Sequence, residues 1–132
     1  MPEPSSFDYA VVRVVPRVER EEFVNAGVIL FCRSQRFLGA RMALDRHRLA
    51  ILDPQLDPQE VERYLALIPL ICAGGPAAGP IGQLSLADRF HWLVSPRSSI
   101  IQTSPVHSGL CTDPEAMLNH LLEKMVCLPD VS

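Results

Sequence analysis

The residues of this chain that could do chemistry are dispersed. Arg13 sits inside an apolar stretch, and Arg17, Arg20 and Glu22 flank its exit. Asn25 opens a run that is otherwise apolar, Arg89 lies among Leu86, Phe90 and Leu93, and Gln102 with Thr103 interrupts a short apolar segment. His107 follows soon after. Polar groups set among apolar residues must find hydrogen-bond partners. A set of Arg, Glu, Asn and Gln therefore makes either a structural network or a pocket. A pocket of that kind would take an anionic substrate, because a guanidinium matches the geometry of carboxylate and phosphate.

Other chemistries leave weaker traces. His107 and Cys111 are four apart, a plausible half of a metal site, whereas His120 and Cys127 are seven apart on one predicted helix. Seven helical residues span about 10 Å, too far for one ion to bridge. No Cys-x-x-Cys pair and no Gly-x-Ser-x-Gly elbow occurs. The run GGPAAGPIG at residues 74–82 is glycine-rich, but it follows a helical pattern and lacks the Gly-Lys-Ser/Thr ending of a phosphate loop. No metal and no cofactor is expected.

The elements that must position these residues follow from periodicity. Phe7 to Val15 reads as a strand ended by Pro16, and Arg17 to Glu22 as a charged turn or a single helical turn. Val24 to Cys32 is almost continuously apolar, the pattern of a central strand buried on both faces, and Gly27 within it marks a bulge or a close backbone approach. Phe37 to Leu44 completes an antiparallel meander. Asp45 to Leu52 reads as a short helix. Asp57 and Pro58 open a longer one with Val61, Tyr64, Leu65, Ile68, Ile71 and Cys72 at helical spacing, kinked by Pro69 and ended by Gly74. Residues 74–84 are expected to be a flexible Gly/Pro-rich internal loop. Ser85 and Asp88 form a capping-box pattern before Leu86, Phe90, Leu93 and Val94. Ser99 to Ser104 reads as a fourth strand, and a last helix starts at Thr112 or Asp113.

The expected fold is one α+β domain over residues 1–132. It is a four-stranded, mainly antiparallel sheet, a three-stranded meander plus a returning strand, with about three helices packed mainly on one face. In the last helix Met117, Leu118, Leu121, Leu122, Met125 and Val126 make two adjacent apolar columns, extended by Leu128. That is wider than one seam against a sheet requires. Met117, Leu121 and Met125 are therefore candidates for a homodimer or partner interface, where adaptable methionine is favoured.

Composition limits the function classes. Hydrophobic residues make up 48% and charged residues 20%, and the formal net charge is −3. A chain this neutral has no general attraction for polyphosphate, so bulk nucleic-acid binding is disfavoured. Of 12 basic residues only Lys124 is a lysine. The four cysteines, Cys32, Cys72, Cys111 and Cys127, read as small buried hydrophobes with free thiols. The longest apolar run, Leu65 to Ala73, is too short to cross a bilayer and the first six residues are polar, so a cytoplasmic protein with no membrane association is expected.

With these segments in view, YAVVRVVP (9–16), EFVNAGVILFCR (22–33), FLGARMALD (37–45), DRFHWLVSPRSSIIQTSPVHSGL (88–110) and TDPEAMLNHLL (112–122) resemble a bacterial family known as domain of unknown function 3037. The resemblance covers most of the chain and is weakest over residues 53–84. It singles out Arg13, Glu22, Asn25, Gly27, Arg89, Gln102 and His107, which largely coincide with the polar residues chosen above. It carries over no catalytic role. Members of such families are often encoded beside HipA-like kinases, so the resemblance implies a kinase-like protein partner. The leading expectation is a non-enzymatic interaction or accessory protein. The alternative is a small enzyme or ligand-binding module that recognises an anion through the Arg/Glu/Asn/Gln cluster.

Overall fold

The computed structural model describes residues 3–97 and 99–127. The meander forms as expected. Strand β1 (Ser5–Val14) pairs antiparallel with β2 (Val24–Cys32), which pairs antiparallel with β3 (Phe37–Met42). The returning strand β4 (Ile101–Thr103) lies against the free side of β1, antiparallel to Val12–Val14. A further strand, β5 (His107–Cys111), pairs with the other half of the same side, Ser5 to Tyr9. The sheet thus has five strands, with β4 and β5 end to end along one edge of β1. Ser104 bridges the break between them. Its N–H donates to the Val11 carbonyl at 2.8 Å, and its Oγ accepts from the Val11 N–H at 2.9 Å. The sequence signal of β5 is faint because Ser108 and Gly109 interrupt any alternation, and the strand borrows its order from a long β1.

Four α-helices are present among the described residues: α1 (Arg46–Leu52), α2 (Pro58–Ala73), α3 (Leu86–Val94) and α4 (Pro114–Met125). Each starts where a short polar side chain takes up the first orphan N–H groups. Asp45 accepts from His47 and Arg48, Asp57 from Gln59, Ser85 from Asp88, and Asp113 from Glu115 and Ala116. Pro58 and Pro114 occupy first-turn positions, where no N–H is needed. Pro69 lies within α2, which continues to Ala73.

Three of the four helices pack on one face of the sheet, as expected, and α4 covers the other. Val12, Val14, Ile29 and Phe31 face a cluster with Leu49 of α1, Val61, Leu65 and Ile68 of α2, and Phe90 and Leu93 of α3. Val11, Val28, Leu30 and Cys32 face Leu118 and Leu121 of α4. The cause is written in β2. A strand apolar at every position has two faces to bury, and helices on one side alone leave Val28 and Leu30 in water. Burying a side chain of that size is worth roughly 1.5–3 kcal/mol.

Gly27 marks a bulge, as expected. Val12 is opposite Gly27 but Arg13 is opposite Asn25, so Ala26 is the extra residue. The bulge reverses the alternation of β2. Val24 and Ala26 join Ile29 and Phe31 on the α1–α3 side, and Asn25 turns to the α4 side. A side chain on Gly27 would meet Met42 and, at 2.7 Å, the Arg41 carbonyl.

Residues 76–83, within the Gly/Pro-rich loop, fold as 3₁₀ turns broken at Gly79 (φ 69°). The Gly75 N–H donates to the Gly82 carbonyl at 3.1 Å and closes the segment on itself. Among the described residues no single helix is long and apolar enough to cross a membrane.

Candidate functional site

Three of the predicted polar residues form a row. Arg13 of β1 stands directly opposite Asn25 of β2 on one side and Gln102 of β4 on the other, and opposite residues of antiparallel strands share a face. That face is the α4 side. The Asn25 Nδ2 donates to the Met125 carbonyl at 3.0 Å, tying the row to the end of α4. The Arg13 guanidinium lies over the Phe23 ring, 4.2 Å from its centroid. Gln102 donates to the Ser99 carbonyl at 2.9 Å. Two buried polar atoms of the row, Arg13 Nε and Asn25 Oδ1, have no hydrogen-bond partner among the described residues. A buried donor and a buried acceptor thus sit on opposite residues of the row, near Phe23 and α4.

The other predicted residues lie elsewhere. Arg89 is on α3, across the sheet, and is 9% exposed. Its Nη1 donates to the Ile71 carbonyl at 2.9 Å and the Cys72 carbonyl at 2.7 Å, and its Nε to the Leu84 carbonyl at 3.1 Å. Ile71 and Cys72 belong to the last turn of α2, where carbonyls lack the usual donor four residues on; the Ile71 carbonyl also accepts from the Gly74 N–H, at 3.1 Å. Arg89 is therefore a C-terminal cap supplied from another helix, and its cation complements the negative end of the α2 dipole. Gly74 makes room for it. With φ 75°, it takes the left-handed conformation, and a Cβ there would stand 2.6 Å from Arg89 Nη1. Arg17 reaches Asp53 at 4.0 Å, and Glu22 pairs with Arg20; all but Asp53 are well exposed. His107 faces solvent on β5 and leans on Tyr9, ring centroids 5.4 Å apart. The structure does not bring the seven residues together, and Arg13, Glu22, Arg89 and Gln102 do not share one pocket.

The candidate interface on α4 is turned inward. Leu121 is buried, and Met117 and Met125 are half-buried against the same cluster. The extra column of apolar residues is needed because, among the described residues, α4 is the helix that covers this face of the sheet. Leu128 lies outside the described residues. Cys32, Cys72 and Cys111 are buried and Cys127 is exposed, so the expectation of four buried thiols holds for three. Burial pushes the Cys72 thiol up to about 12, a rise that the nearby Arg89 cation lessens. Burial also raises Cys111, and the neighbouring Cys32 thiol adds to the effect. No group of three His, Cys, Asp or Glu among the described residues could hold a metal ion.

One cleft among the described residues was missed by sequence reasoning. It measures about 740 Å³ and opens beside α3, at the start of β1 and the end of β2, between Ser6, Asp8, Phe31, Arg33 and His91. Asp8 there accepts a hydrogen bond from the Ser108 hydroxyl at 2.6 Å. The signal was legible: Ser6 and Asp8 stand at alternate positions in β1, in line with apolar Ala10, Val12 and Val14. The α1–α3 face of β1 thus changes from polar to apolar along its length.

A protein-family model matches the chain over residues 9–126, a span that takes in the polar row and the α2 cap. The chain belongs to the DUF3037 family, proteins of unknown function. No curated protein and no solved structure matches it. In this DUF3037 protein five of the seven residues singled out for the likeness take one of two structural roles, and Glu22 and His107 stay at the surface. Arg13, Asn25, Gly27 and Gln102 shape the bulge and the row beneath α4, and Arg89 caps α2.

Proposed function

We propose that this DUF3037 protein is a non-enzymatic accessory protein that binds another protein through the outer side of α2. The observation that carries this reading is an apolar stripe left in water. Tyr64, Leu67 and Leu70 are 46%, 51% and 38% exposed, and they recur every third residue along α2, outside its buried stripe of Val61, Leu65 and Ile68. Helical neighbours at that spacing form one continuous surface. An exposed apolar strip on a stable helix marks a contact surface more often than chance. Trp92 of α3, also at the surface, is a different case: the Arg97 guanidinium covers its ring at 4.2 Å.

The kinase-like protein implied by the family resemblance is the partner to try first. Affinity purification with the tagged wild type and with Leu67→Glu, followed by mass spectrometry, tests the reading. The expected result is a stoichiometric partner retained by the wild type and lost by L67E, with the same unfolding midpoint for both. Equal recovery by both proteins, or no partner for either, would refute it. The ligand-binding alternative moves from the dispersed Arg/Glu/Asn/Gln set to the cleft of Asp8, Arg33 and His91, whose mixed charge suits a polar zwitterion better than a simple anion.

A further inference from the structure

The long edges of the sheet are finished differently. Along β3, the Arg41 guanidinium donates to the Ala40 carbonyl at 3.2 Å and to Glu115 at 3.0 Å, which places charge on that edge. Along β4, the Ile101 carbonyl accepts from the Ser99 hydroxyl at 2.7 Å. Charged side chains and capped carbonyls are the usual means of keeping an edge from pairing with another chain. β5 has neither. Its sequence, His107-Ser108-Gly109-Leu110-Cys111, contains no Lys, Arg, Asp, Glu or Pro. Leu110 on it is 67% exposed, and Val106 just before it 44%.

The direction of its free groups follows from the ladder. Val11 turns both its N–H and its carbonyl toward Ser104. Alternation along β1 then aims Tyr9, Phe7 and Ser5 at their partners His107, Gly109 and Cys111. The main-chain groups of Ser108 and Leu110 consequently point away from the sheet, and no turn, loop or cap hydrogen bond reaches them among the described residues.

We propose that a second copy of this chain pairs with the first along β5, antiparallel, about a two-fold axis through Gly109. In that register Ser108 of each copy lies opposite Leu110 of the other, and the two residues exchange N–H and carbonyl groups. Three features favour a second copy over a foreign strand. The outward groups are placed symmetrically about Gly109, so the strand is complementary to itself. The strand carries no charge, so the axis sets no like charges against each other despite a net charge of −3 per chain. The residue on the axis has no side chain to obstruct the approach. Gly109 is needed in any case, because the Phe7 ring would lie 2.8 Å from its Cβ. One strand pair buries less than the roughly 1,200 Å² of a stable interface, so the dimer is reversible and concentration-dependent.

This interface is separate from the α2 stripe, and its test separates the two. Sedimentation equilibrium of the wild type, Leu110→Lys and Leu67→Glu over a wide concentration range reads the association. Amide exchange reads its location. The wild type and L67E should both dimerise, with Ser108 and Leu110 amides slowing as concentration rises. L110K should raise the dissociation constant by about tenfold or more, and it should exchange those amides quickly at an unchanged unfolding midpoint. Should L110K lower the midpoint, Val106→Lys provides the same reading from outside the ladder. A wild type that stays monomeric at every concentration, a dimer that survives L110K, or one abolished by L67E would overturn the proposal.

Discussion

Arg89 shows how a charged residue inside an apolar helix is accommodated without any catalytic duty. It is buried, yet three main-chain carbonyls surround it and the end of α2 supplies a favourable field. Arg89→Ala should strand those carbonyls at roughly 1–3 kcal/mol and lower the thermal midpoint. Arg89→Lys should recover only part of that, because an ammonium cannot reproduce the planar fork that spans Cys72 and Leu84. Unchanged midpoints would mean that water replaces the guanidinium. The thiols give a second test at this scale. Only the exposed Cys127 should react with a thiol reagent in the native protein at neutral pH, while all four react after denaturation. Cys72 also carries a pH dependence. Its folded value near 12 exceeds the ordinary 9.0, so the native state holds a proton that the unfolded chain releases. Its contribution is fully present below about pH 9 and fades as pH rises toward 12. Chemical denaturation from pH 8 upward should show the wild type losing stability faster than Cys72→Ala; parallel curves would disprove it.

The bulge in β2 is the element on which the polar row depends. Were Ala26 to pair in regular register instead of bulging, it would stand opposite Arg13, and Asn25 would turn to the α1–α3 side, away from the Met125 carbonyl. Gly27 permits the bulge, since β3 approaches too closely for a side chain. Gly27→Ala should therefore destabilise the fold by roughly 1–3 kcal/mol, in the manner of an overpacked core. Asn25→Ala removes a single hydrogen bond and should cost about 1 kcal/mol. Amide exchange in the last turn of α4 would locate that loss, and uniform protection there would contradict the assigned contact. Capping and glycine placement made α1, α2 and α3 readable along the chain, because those signals act within one turn of the residue that carries them. β5 was not readable in the same way. Its order comes from residues 5–9, about a hundred positions earlier, and no local pattern reports so distant a partner.

At the scale of the molecule, two surfaces distinguish this protein from a closed sheet-and-helix sandwich: the α2 stripe and the β5 edge. Neither is required by the core, which the two buried clusters complete. Charge introduced on either surface should leave folding intact, as exposed positions away from caps and cores usually shift stability by no more than about 0.5 kcal/mol. Leu67→Glu and Leu110→Lys should thus unfold at the wild-type temperature by calorimetry. A large drop in either midpoint would show that its surface is part of the fold.

The α+β class, the meander of β1 to β3, the returning strand, the N-terminal caps and an irregularity at Gly27 were all legible along the chain. These depend on period, on short polar side chains at helix starts and on the freedom of glycine, all local properties. The sequence by itself also determined which polar residues need partners. The tertiary structure alone decided which partners they received. Arg89 went to the end of α2, Asn25 to the end of α4, and Glu22 stayed with its neighbour Arg20. Nothing along the chain distinguishes an arginine that will meet carbonyls from one that will meet a ligand, since both need buried acceptors. The placement of α4 likewise required the fold. An apolar helix face says that something must be covered, but which side of a doubly apolar strand it covers depends on where β5 delivers the chain.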